Sequence, residues 1–143
     1  MTYAKATVVP VGRTQEHIRQ ALTKHGATGF AFGEDLSRGL VQFDMAGRRI
    51  RFILPYPTRP STNATKVSHK THEQTLRSRW RAMLLAIKAK LECVEIGITT
   101  LEQEFMAHIV LPNGETVGDV MTPRIEQAYR SNKMPTLLLG NGD

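Results

Sequence analysis

The sequence predicts an α+β protein: an N-terminal strand–helix–strand–strand unit with a small antiparallel sheet, followed by a mainly helical C-terminal part. Residues 27–55 alternate apolar and polar side chains in short runs separated by turn-forming segments, the signature of half-buried strands. Residues 72–95 instead repeat apolar side chains at helical spacing, as a packed helix requires. A hydrophobic content of 41% over 143 residues is enough to bury a core, and the length suits one domain.

The elements follow in order. Residues 6–11 alternate weakly and suit a short strand closed by Gly12. Thr14 is a plausible N-cap for the helix TQEHIRQALTKHG, whose Ile18, Ala21 and Leu22 share a face and which Gly26 terminates by the left-handed conformation glycine tolerates. Strands are predicted over residues 27–33, 40–45 and 48–55, the last two joined by a tight Ala46-Gly47 turn of the hairpin kind. Alternation puts Phe30, Phe32, Val41, Phe43, Met45, Ile50, Phe52 and Leu54 on one face, covered by the first helix. Gln42, Asp44, Arg49 and Arg51 fall on the other, because successive strand side chains point to opposite faces. The register shared with aliphatic residues makes the phenylalanines a core face rather than a stacking platform.

Residues 57–71 read as a basic loop or linker, rich in Pro, Ser, Thr and Asn,. The long helix is expected over residues 72–95, stopped at Gly97, with Leu76, Trp80, Met83, Ile87, Leu91 and Val94 as its core stripe,. Ala82, Leu85, Ala89 and Ile96 lie opposite, a second seam that calls for cover by the C-terminal helices or by another subunit. Beyond it, Thr99 or Thr100 caps a short helix, Asn113-Gly114 makes a turn closed by Val110 and Val117, and Thr122-Pro123 opens a last helix to Lys133,. Leu137 to Leu139 need to dock on the body or on a partner. The chain thus divides into a small α+β unit over residues 1–56, the loop over 57–71 and a helical part over 72–143, packed together as a single compact domain.

Charge gives the functional lead. Residues 57–90 carry eight basic residues against one acid, whereas the rest of the chain holds eleven against twelve, so this segment supplies the whole formal charge of +6. Such a concentration suits a polyanion, because neutralising phosphates releases condensed counterions. The candidate contacts are Arg49 and Arg51 on the polar sheet face, Arg59, Lys66 and Lys70 in the loop, and Arg77, Arg79, Arg81 and Lys88 on the long helix. On that helix Arg77, Arg81 and Lys88 fall on one flank of the core stripe and Arg79 on the other. The expected function is non-catalytic nucleic-acid binding through backbone phosphates, DNA rather than RNA. The chain lacks helix-turn-helix spacing and zinc-finger motifs, which would argue for base readout. A homodimer is compatible with the second seam of the long helix.

Two other classes remain open. The second seam and the leucine tail suit a protein-interaction module. Asp44, Glu92, Glu95, Glu102 and Glu104 are the carboxylates a small metal-dependent nuclease would draw on, but Asp44 is followed by no acid-x-lysine partner on its strand,. His17, His25, His69 and His72 have no metal-ligand spacing, and Cys93 lies on a packed helix without a nucleophile motif,. No cofactor, metal or catalytic residue is therefore expected. The single cysteine and the absence of a long apolar run point to a soluble, cytoplasmic protein without a membrane partner. The start, MTYAKATVVPVG, reads as a strand rather than a signal peptide,.

The stretch RSRWRAMLLAIKAKLECVEIGITTLEQEFMAHIVLPNGETVGD, the later MPTLLLG, and the segments HGATGF and GRRIRFILP resemble a family of small uncharacterised proteins encoded by phages and prophages. The resemblance covers most of the chain. It implies work inside a bacterial host, as a replication or recombination accessory or as an inhibitor of a host system, and assigns no catalytic residue.

Overall fold

A computed structural model describes residues 3–134 of the chain. A 3-10 turn (Tyr3–Ala6) leads to α1 (Val11–Thr23), then three strands β1 (Thr28–Glu34), β2 (Arg38–Met45) and β3 (Arg48–Pro55). The long α2 (Lys66–Glu95) follows, then α3 (Leu101–Phe105), a 3-10 turn (Met106–His108) and α4 (Val117–Ser131). The protein is α+β, with a three-stranded antiparallel sheet of order β1-β2-β3 and a largely helical C-terminal part.

The strand predicted over residues 6–11 does not form. Pro10, with φ −59° and ψ 150°, stands at the N-cap of α1, and its carbonyl accepts the first helical bond from the Thr14 amide at 3.1 Å. Thr14 is therefore buried inside α1 and is not its cap. Val8 is 85% exposed, so the weak alternation of this segment marks no core-facing strand. The stop at Gly26 is as the sequence predicts: φ is +88°, the Gly26 amide bonds to Thr23 and the Ala27 amide reaches back to Leu22, the Schellman pattern. Ala46 and Gly47 both have positive φ, 52° and 76°, as the primed hairpin turn between β2 and β3 requires.

The inner face of the sheet buries Val41, Phe43, Met45, Ile50 and Phe52, with Phe30, Phe32 and Leu54 packed at its margin. α1 is not its sole cover. Ile18 and Leu22 of α1 share the core with Trp80, Leu84, Ile87 and Leu91 of α2 and with Phe105, whose ring stands edge-on to Phe43 at 6.1 Å. The buried stripe of α2 thus includes Leu84, while Leu76, Met83 and Val94 lie at its half-buried edge. Trp80 is completely enclosed, and its indole N–H donates to the Tyr56 hydroxyl at 2.8 Å. That hydroxyl in turn donates to Glu34 at 2.6 Å. Burial, then the Glu34 carboxylate, pushes the Tyr56 phenol up to about 12.

α2 starts six residues earlier than the periodicity predicts, at Lys66. Thr65 caps it, its hydroxyl accepting from the Ser68 amide at 3.2 Å. KVSHKT carries no apolar stripe, so pattern alone stops short of it. Lys66, His69 and Lys70 consequently sit on a helix rather than in a loop. The expected second seam does not thread between layers: among the described residues it stays uncovered, with Leu85 37% and Ile96 60% exposed.

Thr100 caps α3 in a capping box with Gln103. Gly114 turns the chain with φ +90°, and Val110 bridges Thr116 rather than Val117. α4 then opens at Val117 under a capping box of Thr116 and Asp119, which leaves Pro123 inside the helix. The Thr122-Pro123 start is thus overruled by a stronger cap six residues upstream. The leucines at 137–139 lie outside the described residues.

Candidate nucleic-acid interface

The structure sorts the nine candidate cations by surface. Six of them lie on α2, and five of these, Lys66, Lys70, Arg77, Arg81 and Lys88, share one side of it. At 100° per residue they fall within a strip about 60° wide, and at 1.5 Å per residue the strip is about 33 Å long. Its spacing is regular: four residues, seven, four, seven. Lys66, Lys70 and Lys88 are exposed, and Arg77 and Arg81 are half-buried. None of the five lies within salt-bridge distance of a carboxylate among the described residues. Arg77 donates from Nε and Nη2 to the neutral Gln74 Oε1, at 3.1 and 2.7 Å. Arg81 Nη1 meets His17 Nδ1 at 3.1 Å. Since guanidinium can only donate, Nδ1 accepts and the His17 proton sits on Nε2. Among the described residues the buried Arg81 Nε has no hydrogen-bond partner.

α1 forms the second wall. His17, Lys24, His25, Arg81 and Lys88 line a cleft of about 400 Å³ between α1 and α2. Sequence reasoning missed the α1 contribution, because His17 and Lys24 read there as ordinary polar positions. Glu92 and Glu95 line the far end of the same cleft, where Glu95 approaches His25 at 3.7 Å. The positive strip therefore ends near Lys88.

The remaining four candidates lie off this strip, Arg79 on the other flank of α2 and the other three outside the helix. Arg49 is on the outer sheet face as predicted, but is paired with Asp44 at 3.0 Å. Arg51 is held by Gln42 Oε1 at 3.1 Å and the Gly114 carbonyl at 3.0 Å. Arg59 lines a depression together with Glu34, Asp35 and Glu73. Arg79 donates to the Pro55 carbonyl at 2.6 Å. Arg51 and Arg79 tie the sheet to its surroundings, Arg49 is paired within it, and none of the four joins the α2 strip.

The carboxylates of the nuclease reading are similarly dispersed. Asp44 is bound to Arg49 on the outer sheet face. Glu104 accepts from Thr99 at 2.7 Å and lies 3.8 Å from Lys90. Among the described residues no three His, Cys, Asp or Glu side chains come together in a way that could hold a metal ion. His108 stacks on Phe52 with ring centroids 4.0 Å apart; burial, then the nearby Lys90, holds its imidazole below the usual range. No helix of the described residues is long and apolar enough to cross a membrane. Comparison with protein-family models, curated proteins and solved structures finds no match to this chain.

Proposed function

We propose that this chain binds nucleic acid through backbone phosphates, without catalysis, along the α1–α2 face. One observation carries the reading: five cations share one strip of α2 and none is neutralised by a carboxylate among the described residues. Like charges four residues apart on a helix cost about 0.2–0.5 kcal/mol per pair. Lys66/Lys70 and Arg77/Arg81 are two such pairs. Like-charged spacing with no carboxylate within ion-pair distance among the described residues is readily understood if an external polyanion completes it. The phage or prophage setting suggested by the resemblance would make the protein a replication or recombination accessory in the cytoplasm of a bacterial host.

The test is equilibrium binding to labelled DNA across a salt series. With five phosphates contacted, the logarithm of the binding constant should fall against the logarithm of salt with a slope of about −4.5 for a duplex. A slope near zero, or binding no stronger than roughly 100 μM at physiological salt, would refute the reading. A second reading, a protein-interaction module or inhibitor of a host system, is favoured by α4. That helix buries no side chain, and its Ile125 and Tyr129 are 50% and 87% exposed.

A further inference from the structure

Resting on the phosphate-binding reading, we infer that the partner is duplex DNA, and that α2 lies along it so that its cations meet both strands in turn. The spacing of the strip carries this. Lys66, Arg77 and Lys88 recur every eleven residues, which is about 16.5 Å along a helix. A line drawn along the surface of B-form DNA, parallel to its axis, crosses the two backbones alternately. It meets one backbone per half turn on average, or about every 17 Å for a turn of about 34 Å. The three positions therefore fall close to three successive backbone crossings. Two of them are doubled one helical turn further on, by Lys70 and Arg81, which adds about 6 Å of reach at each. That spread absorbs the inequality between a major groove about 12 Å wide and a minor groove about 6 Å wide.

The aromatic side chains make the same distinction independently. Proteins that hold single strands without sequence preference stack successive bases on exposed rings. Trp80, Phe43 and Phe105 are fully enclosed, Phe52 is buried, and Phe30 and Phe32 pack against the core. Tyr129 is the one well-exposed Phe, Tyr or Trp whose side chain is described, and it stands on α4, outside the α1–α2 cleft. The α2 strip offers charge along one continuous helix and, among the described residues, no exposed Phe, Tyr or Trp ring to a base. RNA duplexes present a narrow, deep major groove, which breaks the even alternation of rims that the eleven-residue interval fits.

The experiment uses the full chain and four probes of matched sequence: a DNA duplex of two helical turns, a duplex of half a turn, the single strand, and an RNA duplex. Binding is read by anisotropy at fixed salt and then across salt, for the wild type and for Lys88→Gln. The long DNA duplex should bind roughly tenfold or more tighter than the single strand or the RNA duplex. Lys88→Gln should reduce the salt slope on the long duplex by about 0.9. The half-turn duplex, about 17 Å long, can meet no more than two successive positions of the strip, so for the wild type its salt slope should be clearly smaller than that of the long duplex. Equal or tighter binding of the single strand or of RNA would overturn the inference. So would equal salt slopes of the wild type on the long and half-turn duplexes. Either of those results leaves the phosphate-binding reading standing, whereas absence of salt-dependent binding to every probe removes both.

Discussion

Replacing Lys70, Arg77 and Lys88 together by alanine should weaken binding to duplex DNA by two to three orders of magnitude at about 0.1 M salt, and should reduce the salt slope by about 3. The magnitude follows from counterion release. Each lost phosphate contact removes about 0.9 from the slope, hence about 0.9 decades between 1 M and 0.1 M salt. The substitutions leave the core untouched, since Lys70 and Lys88 are exposed and Arg77 is half-buried against Gln74. They relieve both like-charged pairs of α2 but also remove the Arg77 hydrogen bonds to Gln74, so the melting temperature should stay close to that of the wild type while affinity falls. The control is Arg49→Ala with Arg51→Ala and Arg59→Ala, three cations the structure places on other surfaces, Arg49 in an ion pair with Asp44. It should change affinity less than about threefold. Equal losses in the two variants would mean that net charge, rather than the α2 strip, governs binding.

The second large effect concerns the fold. Trp80→Ala should cost about 3–5 kcal/mol, the range for removing a large aromatic side chain from a core, against a total stability of about 5–15 kcal/mol for a typical domain. Three contacts make this site intolerant. The side chain is completely enclosed. Its indole N–H satisfies the Tyr56 hydroxyl that also binds Glu34. Its six-membered ring also lies against the backbone of β2 at Gly39, where an added Cβ would stand 2.6 Å from Cζ2. Trp80→Phe keeps most of the volume but leaves Tyr56 without its donor, and should cost about 1–3 kcal/mol. Denaturant unfolding with matched slopes measures both. A Trp80→Ala protein within about 1 kcal/mol of the wild type would contradict the burial, and would return Trp80 to candidacy as a base-stacking residue.

Much of this fold is legible in the sequence wherever an apolar pattern meets a turn signal. The hairpin of β2 and β3 and the sheet face of Val41, Phe43, Ile50 and Phe52 are examples, as are the stop of α1 at Gly26 and the burial of Trp80. The misreadings have particular causes. Residues 6–11 alternate too briefly to outweigh Pro10, whose extended backbone precedes the first helical turn. The first turns of α2 are polar, so only the Thr65 cap betrays them. Pro123 resembles a first helical residue, yet the capping box at Thr116 and Asp119 starts α4 earlier.

The site was half legible for the same reason. Composition singles out the basic segment, and helical geometry aligns Arg77, Arg81 and Lys88. With α2 starting at His72, however, Lys66 and Lys70 belong to a loop and the eleven-residue recurrence cannot be seen. Nor does sequence alone show on which surface a guanidinium is held. Arg49, Arg51 and Arg79 carry the same charge as Arg77, but Gln74 keeps Arg77 on the α2 strip, whereas the structure gives the others to Asp44, to Gln42 with Gly114, and to Pro55.

The most direct test of the account is to map where a polyanion sits, by lysine acetylation read by mass spectrometry with and without duplex DNA. The account predicts that Lys66, Lys70 and Lys88 lose reactivity when DNA is bound, with Lys24 of the facing wall protected alongside them. Lys133, beyond the end of α4, should react as before. Unchanged reactivity along α2, or protection centred on Lys133, would contradict the assignment of the α1–α2 face as the phosphate-binding surface.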